Sequence, residues 1–300
     1  MPTSLLDLPA PAKLNLFLHV VGRRADGYHL LQSVFALIDW QDTIHLERRD
    51  DGQLRRHDLG PALPADDLCL RAARALQQAS GTSHGADISV LKQVPWGAGL
   101  GGGSSDAATV LLGLNKLWDL HWPRQKLLQL ATPLGADVPF FVGGQNAFVE
   151  GIGDILTPFP LRPQWFAVVK PAPAVPTASI FSAPDLARDT DPAIVAGSLG
   201  ALNDELPGSP DPRDLRREAL GHNDLQPVAE RLCPDITQVA QWLKARYGNS
   251  RMTGSGSAVF ARAGMGDQPV ATWPEGSLPD GWVGRLCRSL AHHPLWDGAS

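Results

Sequence analysis

The chain has 300 residues, a formal net charge of −5, 43% hydrophobic and 19% charged residues. That balance supports a sizeable buried core, excludes intrinsic disorder and suits one large domain or two ordinary ones. The acidic excess argues against general nucleic-acid binding, which needs clustered Lys and Arg; lysine occurs only at 13, 92, 116, 126, 170 and 244.

Residues 14–21 alternate and predict a strand, with Leu14, Leu16, Leu18 and Val20 on one face and Lys13, Asn15, Phe17 and His19 on the other. A turn follows at 22–27, and 33–46 is rich in strand formers. Residues 66–80 predict a helix, and 87–94 a strand that stops at Pro95. The clearest helix is 104–118, where Ala107, Val110, Leu111, Leu114, Leu117 and Trp118 recur at helical spacing and Ser104 or Ser105 can cap the start. A further helix is expected at 124–132 and a Pro-rich linker or domain edge at 157–163. Beyond it the pattern predicts a strand at 165–170, helices near Ala178 and Ile194, a loop at 207–212, a long helix at 227–247, and strands at 257–262 and 282–287. Neither half has a regular βαβ rhythm, so the expected class is α+β.

Cys69, Cys233 and Cys287 are odd in number and widely spaced, which fits a reduced, cytoplasmic setting better than a disulfide framework. No 18-residue apolar run predicts a membrane span, and residues 1–11 do not resemble a signal peptide. The nine His residues show no zinc-ligand spacing, and no tightly bound, protein-ligated metal is predicted.

The most informative segment is Pro95, Trp96, Gly97, Ala98, Gly99, Leu100, Gly101, Gly102, Gly103, Ser104, Ser105. Five of the seven residues from 97 to 103 are glycine, between a strand and a strong helix. Glycines let a ligand approach the backbone closely, and a helix start offers unpaired N–H groups and the positive end of its dipole. Together they make a phosphate site that needs few cationic side chains. Three other readings compete. Gly97, Gly99 and Gly102 match the dinucleotide fingerprint by spacing, but no acidic residue stands on a second strand about twenty residues on. Ser105, with Asp137 and His222 following, has the order of a hydrolase triad. The third is a plain flexible turn. No Lys follows the glycines, so the loop is not a Walker A motif.

Three segments in order carry a family resemblance: Pro11 to Leu16, Pro95 to Ala107, and Thr253 to Ala258. They resemble the signatures of the small-molecule kinases grouped with galactokinase, homoserine kinase, mevalonate kinase and phosphomevalonate kinase. Arg24, Asp26, Gly27, Tyr28 and His29, with Gly135, Ala136, Asp137 and Pro139, narrow the resemblance to the 4-diphosphocytidyl-2-C-methyl-D-erythritol kinases. It implies an N-terminal domain like ribosomal protein S5 domain 2, expected over 1–158, and a ferredoxin-like C-terminal domain over 159–300. It also implies phosphorylation of the substrate's 2-hydroxyl by ATP with Mg2+, with no nucleic-acid or membrane partner.

By the same resemblance Asp137 is the base and Lys13 holds the hydroxyl and stabilises charge. Residues 95–105 and Lys92 bind ATP, and Gly254, Ser255 and Gly256 form a second phosphate-side turn. Asn15, Tyr28, His29, Thr177 and Phe181 bind the substrate, the aromatic rings stacking on its cytosine. Each has a plainer reading: Asp137 as a helix cap, Lys13 and Lys92 as solvated lysines, Phe181 as core, Gly254 and Gly256 as an ordinary hairpin. Trp96 and Asp67 depart from residues common among the relatives. Two other functions remain open, another kinase of the same superfamily and a non-catalytic nucleotide sensor.

Overall fold

The computed structural model describes residues 2–191, 221–274 and 276–296; the expected helix near Ile194 and loop at 207–212 lie outside them. The elements run β1 (Ser4–Arg23), β2 (His29–Arg49), β3 (Leu54–Asp58), α1 (Leu68–Ser80), β4 (Gly85–Leu91), α2 (Gly102–Leu117), α3 (Arg124–Ala131), α4 (Val138–Gly143), β5 (Ala147–Glu150), β6 (Ile155–Pro158) and β7 (Trp165–Lys170). They continue with α5 (Thr177–Phe181), α6 (Gln226–Leu232), α7 (Pro234–Tyr247), β8 (Arg251–Met252), β9 (Val259–Gly264) and β10 (Val283–Arg288). Helices and mostly antiparallel strands are mixed, as the α+β expectation has it; β3 and β4 form the one parallel pair among the described residues.

Period-two alternation builds the layers. On β2, Phe35 and Leu37 enter a core shared with α1 to α4, while Ala36 and Ile38 face the other way. There they meet Phe166 and Val168 of β7 and Phe260 of β9, in a core between two sheets. Ala167 and Val169 of β7 point to a third core, against α6 and α7. The order is therefore helices, sheet, sheet, helices. β2 is 21 residues long, enough to pair β1 on one edge and both β4 and β5 on the other.

Three expectations are corrected. The first strand has 20 residues where eight were predicted, and its alternation breaks: the register shifts between Asn15 and Leu18. Leu16 and Phe17 therefore both enter the inter-sheet core, and Leu18 and Val20 join the core of the second sheet's helices. A bulge of this kind bends the strand and re-aims its side chains. The helix predicted at 227–247 is two helices broken at Cys233, which is extended at φ −142°, ψ 91°. Pro234 lacks an N–H and forces the preceding residue out of the helical region. Residues 157 and 158, read as linker, close β6 against β5, an edge position that tolerates proline. Elements β3, α4 and β5 are too short to show a clear period.

Two buried histidines tie distant segments. His19 accepts a hydrogen bond from the His222 N–H at 3.2 Å, and His293, whose Nδ1 accepts from the Leu295 N–H at 3.1 Å, reaches Thr109 Oγ1 through Nε2 at 3.5 Å. Burial, then the neighbouring His222, pushes His19 down to about 4; burial, then Arg124, pushes His293 down to about 3. Both folded values lie below the unfolded value of about 6.5. Their stabilisation is therefore complete above about pH 6.5 and falls as the pH drops toward the folded values. Urea unfolding should show a loss of roughly 2–4 kcal/mol between pH 7 and pH 4, and His293→Gln should flatten that slope.

Candidate functional site

The glycine loop joins β4 to α2 and enters the helix through Gly101, the N-cap, at φ 72°. This corrects the expected cap: Ser104 and Ser105 lie inside the first turn, and no side chain caps α2. A left-handed cap needs no side chain, so the first-turn N–H groups stay open toward the loop. Two glycines are required by contact as well as by φ. A Cβ on Gly99 would sit 2.2 Å from the Thr253 carbonyl oxygen, and one on Gly101 would sit 3.0 Å from the Phe141 ring and 3.2 Å from Lys13 Cγ. The loop is clamped from both sides by backbone. Lys13 N–H donates to Leu100 O at 3.0 Å, Ala258 N–H to Ala98 O at 3.2 Å and Ser257 N–H to Gly97 O at 3.3 Å. Ala98 and Leu100 point down into the inter-sheet core.

A cavity of about 190 Å³ opens at the helix start, lined by Leu68, Lys92, Val94, Pro95, Trp96 and residues 97–104. Trp96 is 81% exposed at its mouth. Lys92 is neither solvated nor free. Its ammonium donates to Asp42 and, at 2.6 Å, to Asp106, so its charge is largely spent beneath the loop. Burial lowers its pKa, but the two carboxylates outweigh that and leave it raised; burial and Asp42 raise Asp106. Asp67 caps α1 through the Leu70 N–H and pairs with Arg56 at 2.9 Å.

Lys13 lies on β1 and is 3% exposed. Its ammonium reaches Asp137 Oδ2 at 3.6 Å, donates to Asn15 Oδ1 at 2.5 Å, and sits 4.5 Å from the Phe35 ring centroid. Burial lowers its pKa against the opposing pull of Asp137. Asp137 stands at the N-cap of α4, yet its side chain makes no capping bond. Its carboxylate, 30% exposed, remains available to a ligand. Asn15 cannot rotate freely: its amide donates to Ser33 Oγ at 3.0 Å, Ser33 donates to Phe17 O, and Asn15 N–H donates to Thr253 Oγ1. The amide oxygen is thereby turned to Lys13. Ser33 and Thr253 were absent from the predicted site; a lone hydroxyl among apolar strand residues was the signal for Ser33.

Lys13, Asn15 and Asp137 open into a second cavity of about 830 Å³, whose walls also include Gly97, Gly99, Gly101, Tyr28, His29, Thr177, Phe181, Gly254, Ser255 and Gly256. Thirteen predicted positions, separated by up to 243 residues, thus share one chamber. Tyr28 is 61% exposed, and the His29 and Phe181 rings lie 5.0 Å apart, so Phe181 is partly a wall and partly core. Thr177 Oγ1 and Ser255 Oγ are 2.6 Å apart across the rim. The turn at 254–256 does join β8 to β9, and Asn223 fastens it by donating to Gly254 O at 2.8 Å.

The hydrolase reading fails on geometry. Ser105 is fully buried and its hydroxyl has no hydrogen-bond partner among the described residues. His222 instead pairs with Asp224 at 2.5 Å. Among the described residues no group of three His, Cys, Asp or Glu side chains is arranged to hold a metal ion, and no helix is long and apolar enough to cross a membrane.

Two family models match, the GHMP kinases N terminal domain at residues 67–145 and the GHMP kinases C terminal at residues 198–268. The chain is 60% identical over 299 residues to a 4-diphosphocytidyl-2-C-methyl-D-erythritol kinase of Methylibium petroleiphilum, covering 98% of this chain and 99% of that one. A crystal structure of a 4-(cytidine 5'-diphospho)-2C-methyl-D-erythritol kinase is 36% identical, with a TM-score of 0.68 over 87% of this chain and 90% of that one. A homoserine kinase from Cytophaga hutchinsonii shares the fold at 16% identity, with a TM-score of 0.70 over 98% and 96% of the two chains.

The interlock of the two glycine turns generates a sharp expectation. Gly99→Ala must move the Thr253 carbonyl and strain a residue held at φ 73°. It should cost about 1–3 kcal/mol of stability and weaken anion binding at the loop. Thermal unfolding with and without nucleotide measures both.

Proposed function

The chain belongs to the GHMP kinases and, within them, to the family of its 4-diphosphocytidyl-2-C-methyl-D-erythritol kinase relatives; on that premise we propose that it transfers the γ-phosphoryl group of ATP to the 2-hydroxyl of 4-diphosphocytidyl-2-C-methyl-D-erythritol, a step of non-mevalonate isoprenoid precursor synthesis. The observation that carries this reading is the Lys13–Asp137 pair, 3.6 Å apart, beside an open helix start and a cavity with an aromatic end.

The chemistry follows from those positions. The phosphates of ATP lie against the open N–H groups of residues 101–104, where dipole and backbone supply positive potential. The exposed Trp96 and the small cavity beside it take the nucleoside end. The substrate's cytosine lies with Tyr28, His29 and Phe181, and Asn15 and Thr177 bind the remainder of the substrate. Its 2-hydroxyl reaches Lys13 and Asp137. Asp137 accepts the hydroxyl proton, the oxygen bonds to the γ-phosphorus, and the bond from that phosphorus to the bridging oxygen of ADP breaks. Lys13 holds the hydroxyl and Asp137 in line and offsets the charge that develops.

A magnesium ion arriving with ATP would neutralise phosphate charge. Ser105 is buried and lines neither cavity, so no side chain is assigned to that ion. We further read residues 1–158 as an N-terminal domain like ribosomal protein S5 domain 2 and 159–300 as a ferredoxin-like C-terminal domain. A cytoplasmic setting accords with three buried, free cysteines. Other kinases of the superfamily are the alternative, and the aromatic end of the cavity favours a nucleobase over their smaller substrates. A non-catalytic sensor would have no use for a buried Lys beside an uncapped Asp.

A coupled ATPase assay with the cytidyl substrate tests the reading. Asp137→Asn and Lys13→Met should each lower turnover by about 10²–10⁴-fold while the thermal midpoint stays near that of the unaltered protein. Near-normal turnover in either variant would remove that residue from the mechanism.

A further inference from the structure

His29 is held by a residue outside the cavity and absent from every motif. Arg188 Nε donates to His29 Nε2 at 3.1 Å. An Arg Nε always carries its hydrogen, so His29 Nε2 must be the acceptor and the neutral ring must carry its proton on Nδ1. The same guanidinium donates to the carbonyls of Leu186 at 2.9 Å, Ala183 at 2.7 Å and Phe181 at 3.3 Å. It thus ties the chain that follows α5 to the ring stacked on Phe181. Nδ1 has no protein partner among the described residues, and His29 lines the large cavity.

We propose that Arg188 is a positioning residue that locks His29 as the Nδ1–H tautomer, so that the cavity presents a fixed hydrogen-bond donor and selects cytosine over uracil. The inference rests on the nucleobase reading of the cavity given above. In the proposed placement the N3 position of the base, rather than O2, stands opposite Nδ1–H, and a base must offer a lone pair at that point. Cytosine N3 does so. Uracil N3 carries a hydrogen and would set donor against donor, leaving both polar groups unpaired once water is excluded. A second device keeps the ring neutral: burial first, then the positive charges of Arg188 and Arg23, lower the His29 pKa. A protonated ring could not accept from Arg188.

Two measurements test this. Nitrogen-15 NMR of His-labelled wild-type protein, with His29 assigned by comparison with His29→Gln, should show a pyridine-type Nε2 and a protonated Nδ1 at pH 7.5. This requires neither substrate nor a variant of Arg188, so it stands or falls apart from the proposed activity. In the second, kcat/KM is compared for the cytidyl substrate and its uridyl counterpart in the wild type and in Arg188→Leu. The cytidyl preference should fall by about tenfold or more in the variant, with kcat on the cytidyl substrate less affected than KM. A protonated Nε2 in the wild type would overturn the inference. So would an equal loss on both substrates with the preference unchanged, because that is the behaviour of a merely structural contact. Absence of wild-type phosphorylation of the cytidyl substrate, with the tautomer as stated, would instead count against the proposed activity.

Discussion

Backbone amides from two distant parts of the chain grip the glycine loop, and most of the site depends on that grip. Lys13 reaches it from β1, and Ser257 and Ala258 reach it from the turn before β9. The loop packs so tightly that Gly99 has no room for a Cβ against Thr253, and a Cβ on Gly101 would press on the Phe141 ring. The bond from the Lys13 backbone places the Lys13 side chain beside the loop. The bonds from 257 and 258 place Ser255 and Gly256 on the same cavity wall. Loop, cation and second turn are therefore one mechanical unit.

Electrostatics in this unit follow from burial more than from net charge. The chain is acidic overall, and its two site-proximal lysines, Lys13 buried and Lys92 half-buried, are both paired. Lys92 sits between two carboxylates and stabilises the floor of the loop. Lys13 has one carboxylate and one amide oxygen, and burial has already weakened its hold on its proton. A cation with few partners beside a cavity has more to offer a reacting oxygen than one with many. Backbone N–H groups at the start of α2 carry no side-chain cap, so an acidic chain still offers positive potential there.

Much was legible in the amino-acid order. The glycine run leads into the periodic helix α2, as its pattern predicts, and the strand at 165–170 follows its pattern too. Misreadings arose where a local rule met a competitor. The cap was assigned to Ser104 or Ser105 because hydroxyls are good caps, but a left-handed glycine ended the loop first. The single helix expected at 227–247 divides at Cys233, because Pro234 removes the N–H that continuity needs. Alternation on β1 was read as two clean faces, whereas a bulge after Asn15 turns the strand from one core toward another.

Composition and motif order by themselves determined the mixed class of fold, the glycine run and the periodic helix that follows it. These properties are local: they depend on residue type, φ preference and periodicity over a dozen positions. Only the tertiary structure decided which charges are spent and which are free. It assigned Lys92 to Asp42 and Asp106, left Asp137 uncapped, turned the Asn15 oxygen toward Lys13 through Ser33, and brought Arg188 to His29 across 159 residues. Hydrogen bonds of a few ångströms between segments far apart in sequence leave no periodic trace along the chain, and only the packed sheets bring them within reach.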